Sequence, residues 1–135
     1  MADTASFVRT FEEDVPAVAA GTDDTFTICE APFAGTVTSA SFTANATLTG
    51  ADTDTRTLNL RNTGAAGAGT TVVATKAFTD GVDATAFDET ALTLSGTAAN
   101  LVVAAGDILQ LHSDSVGGTG LAQPDGQVRV QITRS

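Results

Sequence analysis

The residues able to do chemistry are few and scattered. The single histidine, His112, stands beside Ser113, Asp114 and Ser115. A nucleophilic relay needs serine, histidine and carboxylate converging in space, whereas neighbours along an extended chain point to alternate faces. His112 therefore reads as a partly solvated residue at the end of a strand, before a glycine-rich loop, and no Gly-x-Ser-x-Gly elbow accompanies it. Asp23-Asp24, Asp52-x-Asp54 and Asp80-x-x-Asp83 offer oxygen ligands of the kind calcium takes. None continues into the further acidic positions and closing Glu of an EF-hand loop, and loop aspartates more often cap turns through their own backbone. No bound metal is expected. Gly117-Gly118-Thr119-Gly120 lacks the lysine and the following helix of a phosphate-binding loop, so it reads as a flexible turn. Cys29 is the only cysteine and its neighbour is Glu30. It can form no internal disulfide, and without a cationic neighbour it reads as a small buried hydrophobe.

Composition narrows the function further. The 135 residues carry 16 acidic and 6 basic side chains, a net charge of -10. Arg9, Arg56, Arg61, Lys76, Arg129 and Arg134 are dispersed among acidic residues, so there is no basic patch to neutralise a phosphate backbone. Nucleic acid and anionic membrane are excluded as partners on the same electrostatic ground. Seven Phe stand beside no Trp and no Tyr, which disfavours a sugar-stacking platform or an aromatic-rich interface. Two opposed carboxylates among sixteen would suffice for glycoside hydrolysis, but few aromatic residues exist to line a cleft. The expectation is a protein that is not an enzyme and holds no cofactor. No apolar run approaches the ~20 residues of a membrane-spanning helix. The first residues, MADTASFVRTFEEDVP, lack the basic start and apolar centre of a secretory signal.

The elements that must position these residues are strands. The chain has 24 Ala, 24 Thr and 13 Gly, and its apolar residues alternate in short runs between turn signals. Residues 1–20 read as an extended N-terminal arm, in which Phe7, Val8 and Phe11 are interrupted by Glu12-Glu13-Asp14 and Pro16. From residue 21 to 135 the chain reads as a single β-sandwich domain. Phe26 and Ile28 alternate with Thr25, Thr27 and Cys29, and the odd spacing of Val37 and Phe42 predicts a bulge or bend between them. Leu58 and Leu60 point inward against Thr57, Asn59 and Arg61, and Leu92 and Leu94 share one face of a strand over 89–95. Leu109 and Leu111 oppose Ile108, Gln110 and His112, and Val128, Val130 and Ile132 close the chain on an inward face. About eight strands and no convincing helix predict an all-β antiparallel sandwich, jelly-roll-like, although alternation alone does not separate a jelly roll from an immunoglobulin-like sandwich.

The block from Ala34-Gly35-Thr36-Val37 to Thr57-Leu58-Asn59-Leu60-Arg61-Asn62-Thr63-Gly64 leads into Val103-Ala104-Ala105-Gly106-Asp107-Ile108-Leu109-Gln110-Leu111. Gly117-Gly118-Thr119-Gly120-Leu121 and the strand Gly126-Gln127-Val128-Arg129-Val130 follow. In texture and motif order, over about residues 22–135, this resembles the small β-sandwich capsid decoration (minor capsid, head-fibre) proteins of tailed bacteriophages, especially those infecting actinobacteria. The resemblance implies a non-enzymatic virion structural protein on the outer surface of the capsid, assembled in the host cytoplasm. Its partner would be the major capsid protein, its state a homotrimer at three-fold positions, its role to stabilise the shell. Phe7, Val8, Arg9 and Phe11 are then the expected capsid- or protomer-contact residues, on an arm whose apolar side chains have no evident use within the chain. The alternative is a receptor- or glycan-binding tip of a head or tail fibre; a bacterial surface adhesin module is a third reading.

Overall fold

The computed structural model describes residues 7–135. Ten strands fill two antiparallel sheets, and among the described residues the only helical element is one 3-10 turn, Ala98–Leu101. The strands are β1 (Val8–Val15), β2 (Asp24–Glu30), β3 (Gly35–Ala44), β4 (Thr55–Asn62), β5 (Thr71–Phe78), β6 (Glu89–Ala91), β7 (Thr93–Leu94), β8 (Val102–Val103), β9 (Ile108–Val116) and β10 (Gly126–Arg134). The first sheet runs β1-β10-β3-β6, with β8 also paired to β3. The second runs β2-β9-β4-β5-β7.

The inner faces hold the core that alternation predicts. Val128, Val130 and Ile132 of β10 and Val37, Ala40 and Phe42 of β3 meet Leu58 and Leu60 of β4 and Leu109 and Leu111 of β9, all buried. Thr and Val suit this arrangement, because a β-branched side chain fits a pleated surface with one face covered. Gly126 opens β10 where the chain passes the Phe42 ring, and an added Cβ would lie 2.8 Å from that ring.

Three bulges set which side chains enter the core, one of them at Val73 of β5, which lets Val73 and Ala74 both be buried. The β3–β10 register shifts between Gln131 and Ile132, leaving Thr38 as the extra residue between Val37 and Ser39. This is the irregularity that the spacing of Val37 and Phe42 predicts. The β2–β9 register shifts between Thr27 and Cys29. That slip turns Cys29 inward beside Ile28, so both are buried although strict alternation puts them on opposite faces.

The strand expected over 89–95 is divided. β6 pairs with β3 in the first sheet and β7 with β5 in the second, so the chain crosses between sheets at buried Leu92. This crossing, with the N-terminal segment joining as β1, raises the count from about eight to ten.

The expected N-terminal arm is corrected on one point. Residues 8–15 are extended, but they form β1, paired along their whole length with β10 from Val8↔Thr133 to Val15↔Gly126. Val18 continues the attachment through a backbone bridge to Gln123. An eight-residue strand satisfies its backbone groups on one side by joining the sheet, which a free arm would leave to water. Residues 1–6 lie outside the described residues.

Candidate functional site

The four expected contact residues stand at the β1 edge, and the register fixes where each one points. Arg9 pairs with Ile132 and Phe11 with Val130, both inward residues, so Arg9 and Phe11 lie on the inner face of β1. Phe11 packs against the core, and the Arg9 guanidinium lies over its ring, 5.3 Å from the centroid. Phe7 meets Phe33 edge-to-face at 5.5 Å, and its carbonyl accepts a hydrogen bond from the Arg134 amide at 2.8 Å. Three of the four side chains thus have work within the chain, contrary to the expectation that they have none. Charged Arg9 and Glu13 on the inner face of an edge strand also discourage indiscriminate edge-to-edge pairing.

Val8 alone points outward, and it belongs to a row that crosses the first sheet. Val8 pairs with Thr133, Thr133 with Thr36, and Thr36 with Val102. Both valines at the ends of the row are about half exposed, as is Phe7 beside them. The next rows are polar. Ser39 donates to Gln131 Oε1 at 3.0 Å, and Ser41 donates to Glu89 Oε2 at 2.7 Å, with Arg129 3.6 Å from the same carboxylate. That ion pair is half exposed on both sides and contributes little to stability.

The outer face of the second sheet gathers a different set. Thr25 of β2, His112 of β9 and Asn59 of β4 stand directly opposite one another. His112 Nδ1 lies 3.0 Å from the Thr25 hydroxyl. Asp114 is two residues along β9, hence on the same face, and Asp23 joins them from just before β2. One ligand atom from each of Asp23, His112 and Asp114 lies within 4.8 Å of the other two. Asp23 Oδ1 accepts the Ser115 amide at 2.7 Å. Asp23 therefore caps not its own turn, as expected of a loop aspartate, but a backbone amide of the distant strand β9, and it also stands beside the histidine. Sequence reading weighed Asp23 and His112 separately; pairing of β2 with β9 is what joins them.

Directly beneath is Arg56, fully buried and not singled out by any motif. Its guanidinium donates to Leu121 O at 2.6 Å, Thr22 O at 2.9 Å, Ser113 Oγ at 3.0 Å and Ala19 O at 3.1 Å. Burial pushes its pKa below the ordinary arginine value, and the charges of Asp23 and Asp114 push back. One inward side chain thus latches the 19–22 segment and the 115–121 loop to the second sheet. The signal was present: alternation puts Arg56 on the face of Leu58 and Leu60. Buried Cys29 has its thiol pushed up to about 11 by loss of solvation, the state of an inert rather than a nucleophilic cysteine.

Phe87 is the most exposed of the large apolar side chains among the described residues. It is 77% exposed and holds a left-handed backbone, φ 63°, fixed by its amide donating to Ala44 O at 2.7 Å. That conformation is costly for a bulky side chain, and exposure recovers nothing for it.

Fold and surface together define a two-sheet antiparallel β-sandwich with a polar outer face on each sheet. Comparison with protein-family models, with curated proteins and with solved structures finds no match to this chain.

Proposed function

We propose that the chain is a non-enzymatic structural protein of a tailed-bacteriophage virion, which binds the outer surface of the capsid shell and stabilises it, as a trimer at three-fold positions. Strand order carries this reading. With β6 and β8 taken as one position beside β3, and the two-residue β7 set aside as an edge addition to β5, the sheets run β1-β10-β3-β6/β8 and β2-β9-β4-β5. Those eight positions, connected mostly by steps from one sheet to the other, support reading the sandwich as a jelly roll. That architecture recurs in viral capsid domains. Because it also recurs in lectins, the order supports the reading together with the resemblance in motif order and the absence of Trp and Tyr.

The contact surface in this reading is the Val8–Thr133–Thr36–Val102 row with Phe7 at its edge. It is a small apolar rim on a flat polar face, suited to many modest contacts rather than one deep pocket. A partner that binds only the assembled shell stabilises that state by mass action, and repetition over the lattice multiplies weak contacts. The net charge of -10 keeps free protomers apart and soluble before assembly.

The test is co-sedimentation of purified chain with shells built from the major capsid protein alone. Saturable binding at a fixed ratio supports the proposal, and binding reduced at least tenfold by Val8→Asp with Val102→Asp assigns the surface. Failure of the unaltered chain to sediment with shells would overturn the proposal.

A further inference from the structure

We propose that Asp23, His112 and Asp114 form a binding site for a divalent transition-metal ion of the Zn2+ class. The inference is independent of any role in a virion. The donor set comes first: one imidazole nitrogen and two carboxylates, each able to place a ligand atom within 4.8 Å of the others. Ligands about 2.0–2.2 Å from a shared ion fall within such a separation after small rotamer adjustments. An imidazole donor selects zinc and its neighbours over calcium or magnesium, which favour oxygen alone.

Two of the three ligands are already oriented by groups outside the set. With the proton on Nδ1, His112 donates to the Thr25 hydroxyl at 3.0 Å and leaves the Nε2 lone pair for the metal. A partner of this kind on the second ring nitrogen is the usual companion of a metal-bound histidine. The Ser115 amide holds Asp23 Oδ1 and leaves Oδ2 available. The Arg56 guanidinium spends its hydrogen bonds on three carbonyls and the Ser113 hydroxyl, so neither carboxylate is tied to it. Two carboxylates with a neutral imidazole balance the charge of a divalent ion, and water completes its coordination.

The site joins the segment before β2 to the end of β9, on the outside of the sheet that Arg56 latches from within. Its role is therefore structural: a metal here fixes the 19–24 segment and raises the stability of the folded chain by linkage.

Tag-free, metal-stripped full-length protein titrated with ZnCl2 by calorimetry tests this. The expected result is one saturable equivalent, a rise in unfolding temperature with Zn2+, and no comparable response to CaCl2. His112→Ala and Asp114→Asn should each lower affinity at least tenfold while unfolding near the metal-free wild-type temperature. Thr25→Val should lower it about tenfold by releasing the imidazole. Should a variant fail to fold, Co2+ titration of the wild type decides instead, visible absorption from a nitrogen- and oxygen-ligated ion being required. No stoichiometric Zn2+ binding by the wild type, equal binding by His112→Ala, or a preference for Ca2+ each overturns the proposal.

Discussion

Arg56 donates to the hydroxyl of Ser113 at 3.0 Å in the closed interior of the sandwich, from β4 to the neighbouring strand β9. Ser113 lies between His112 and Asp114, so the residue that faces inward meets the latch while its two neighbours face outward beside Asp23. One strand thereby ties the interior polar network to the outer cluster.

That network predicts a large cost for losing the guanidinium. Arg56→Ala leaves a cavity where a fully buried side chain stood and takes the donor from the buried Ser113 hydroxyl and from three partly buried carbonyls, and should destabilise the fold by about 3 kcal/mol or more. Arg56→Lys should recover only part of the loss, because one ammonium cannot span acceptors arranged for a planar fork. Urea unfolding of both variants measures this. A change below about 0.5 kcal/mol for Arg56→Ala, typical of a surface substitution, would contradict the latch.

Phe87→Gly should make the free protein more stable, by about 1 kcal/mol, since glycine accepts φ 63° without strain and little apolar burial is lost. Thermal unfolding at neutral pH reads the effect. Destabilisation would show that the ring packs usefully in solution.

Stability should also fall in a defined alkaline window. The Cys29 thiol ordinarily ionises near 9.0, and burial raises this to about 11. The folded state therefore holds its proton where the unfolded chain has lost it. The contribution of this group is complete below pH 9 and is lost as pH rises from 9 toward 11. Cys29→Ala should flatten that part of the stability–pH curve. Equal slopes in both proteins would show that Cys29 is not the group responsible.

Removing residues 2–13 takes away most of β1 and uncovers the β10 edge. The truncated protein should therefore lose stability by several kcal/mol, Phe11 leaving the core with its strand. Denaturant unfolding checks it: unchanged stability would restore the picture of a detachable arm.

Much of this was legible in the chain. Alternation in 57–61 and 127–133 identified inward residues correctly, alternation in 108–112 separated the two faces, and the parity break between Val37 and Phe42 marked a real bulge. Cys29 was placed on the wrong face because the bulge opposite Leu109 leaves no parity break within so short a strand. The division of 89–95 between sheets was hidden for a similar reason: Leu92 and Leu94 keep period two while their strands change partners. The inward turn of Arg9 and Phe11 depends on register with β10, more than a hundred residues away, and no local pattern encodes it. The meeting of Asp23 with His112 is likewise a product of long-range pairing.

The central claim is that this sandwich belongs to a capsid shell, and the most direct test is its copy number in purified virions, by quantitative mass spectrometry against the major capsid protein. A one-to-one ratio, or a simple fraction fixed by the lattice, is the predicted result. Absence from the particle, or a handful of copies confined to a fibre, would contradict it.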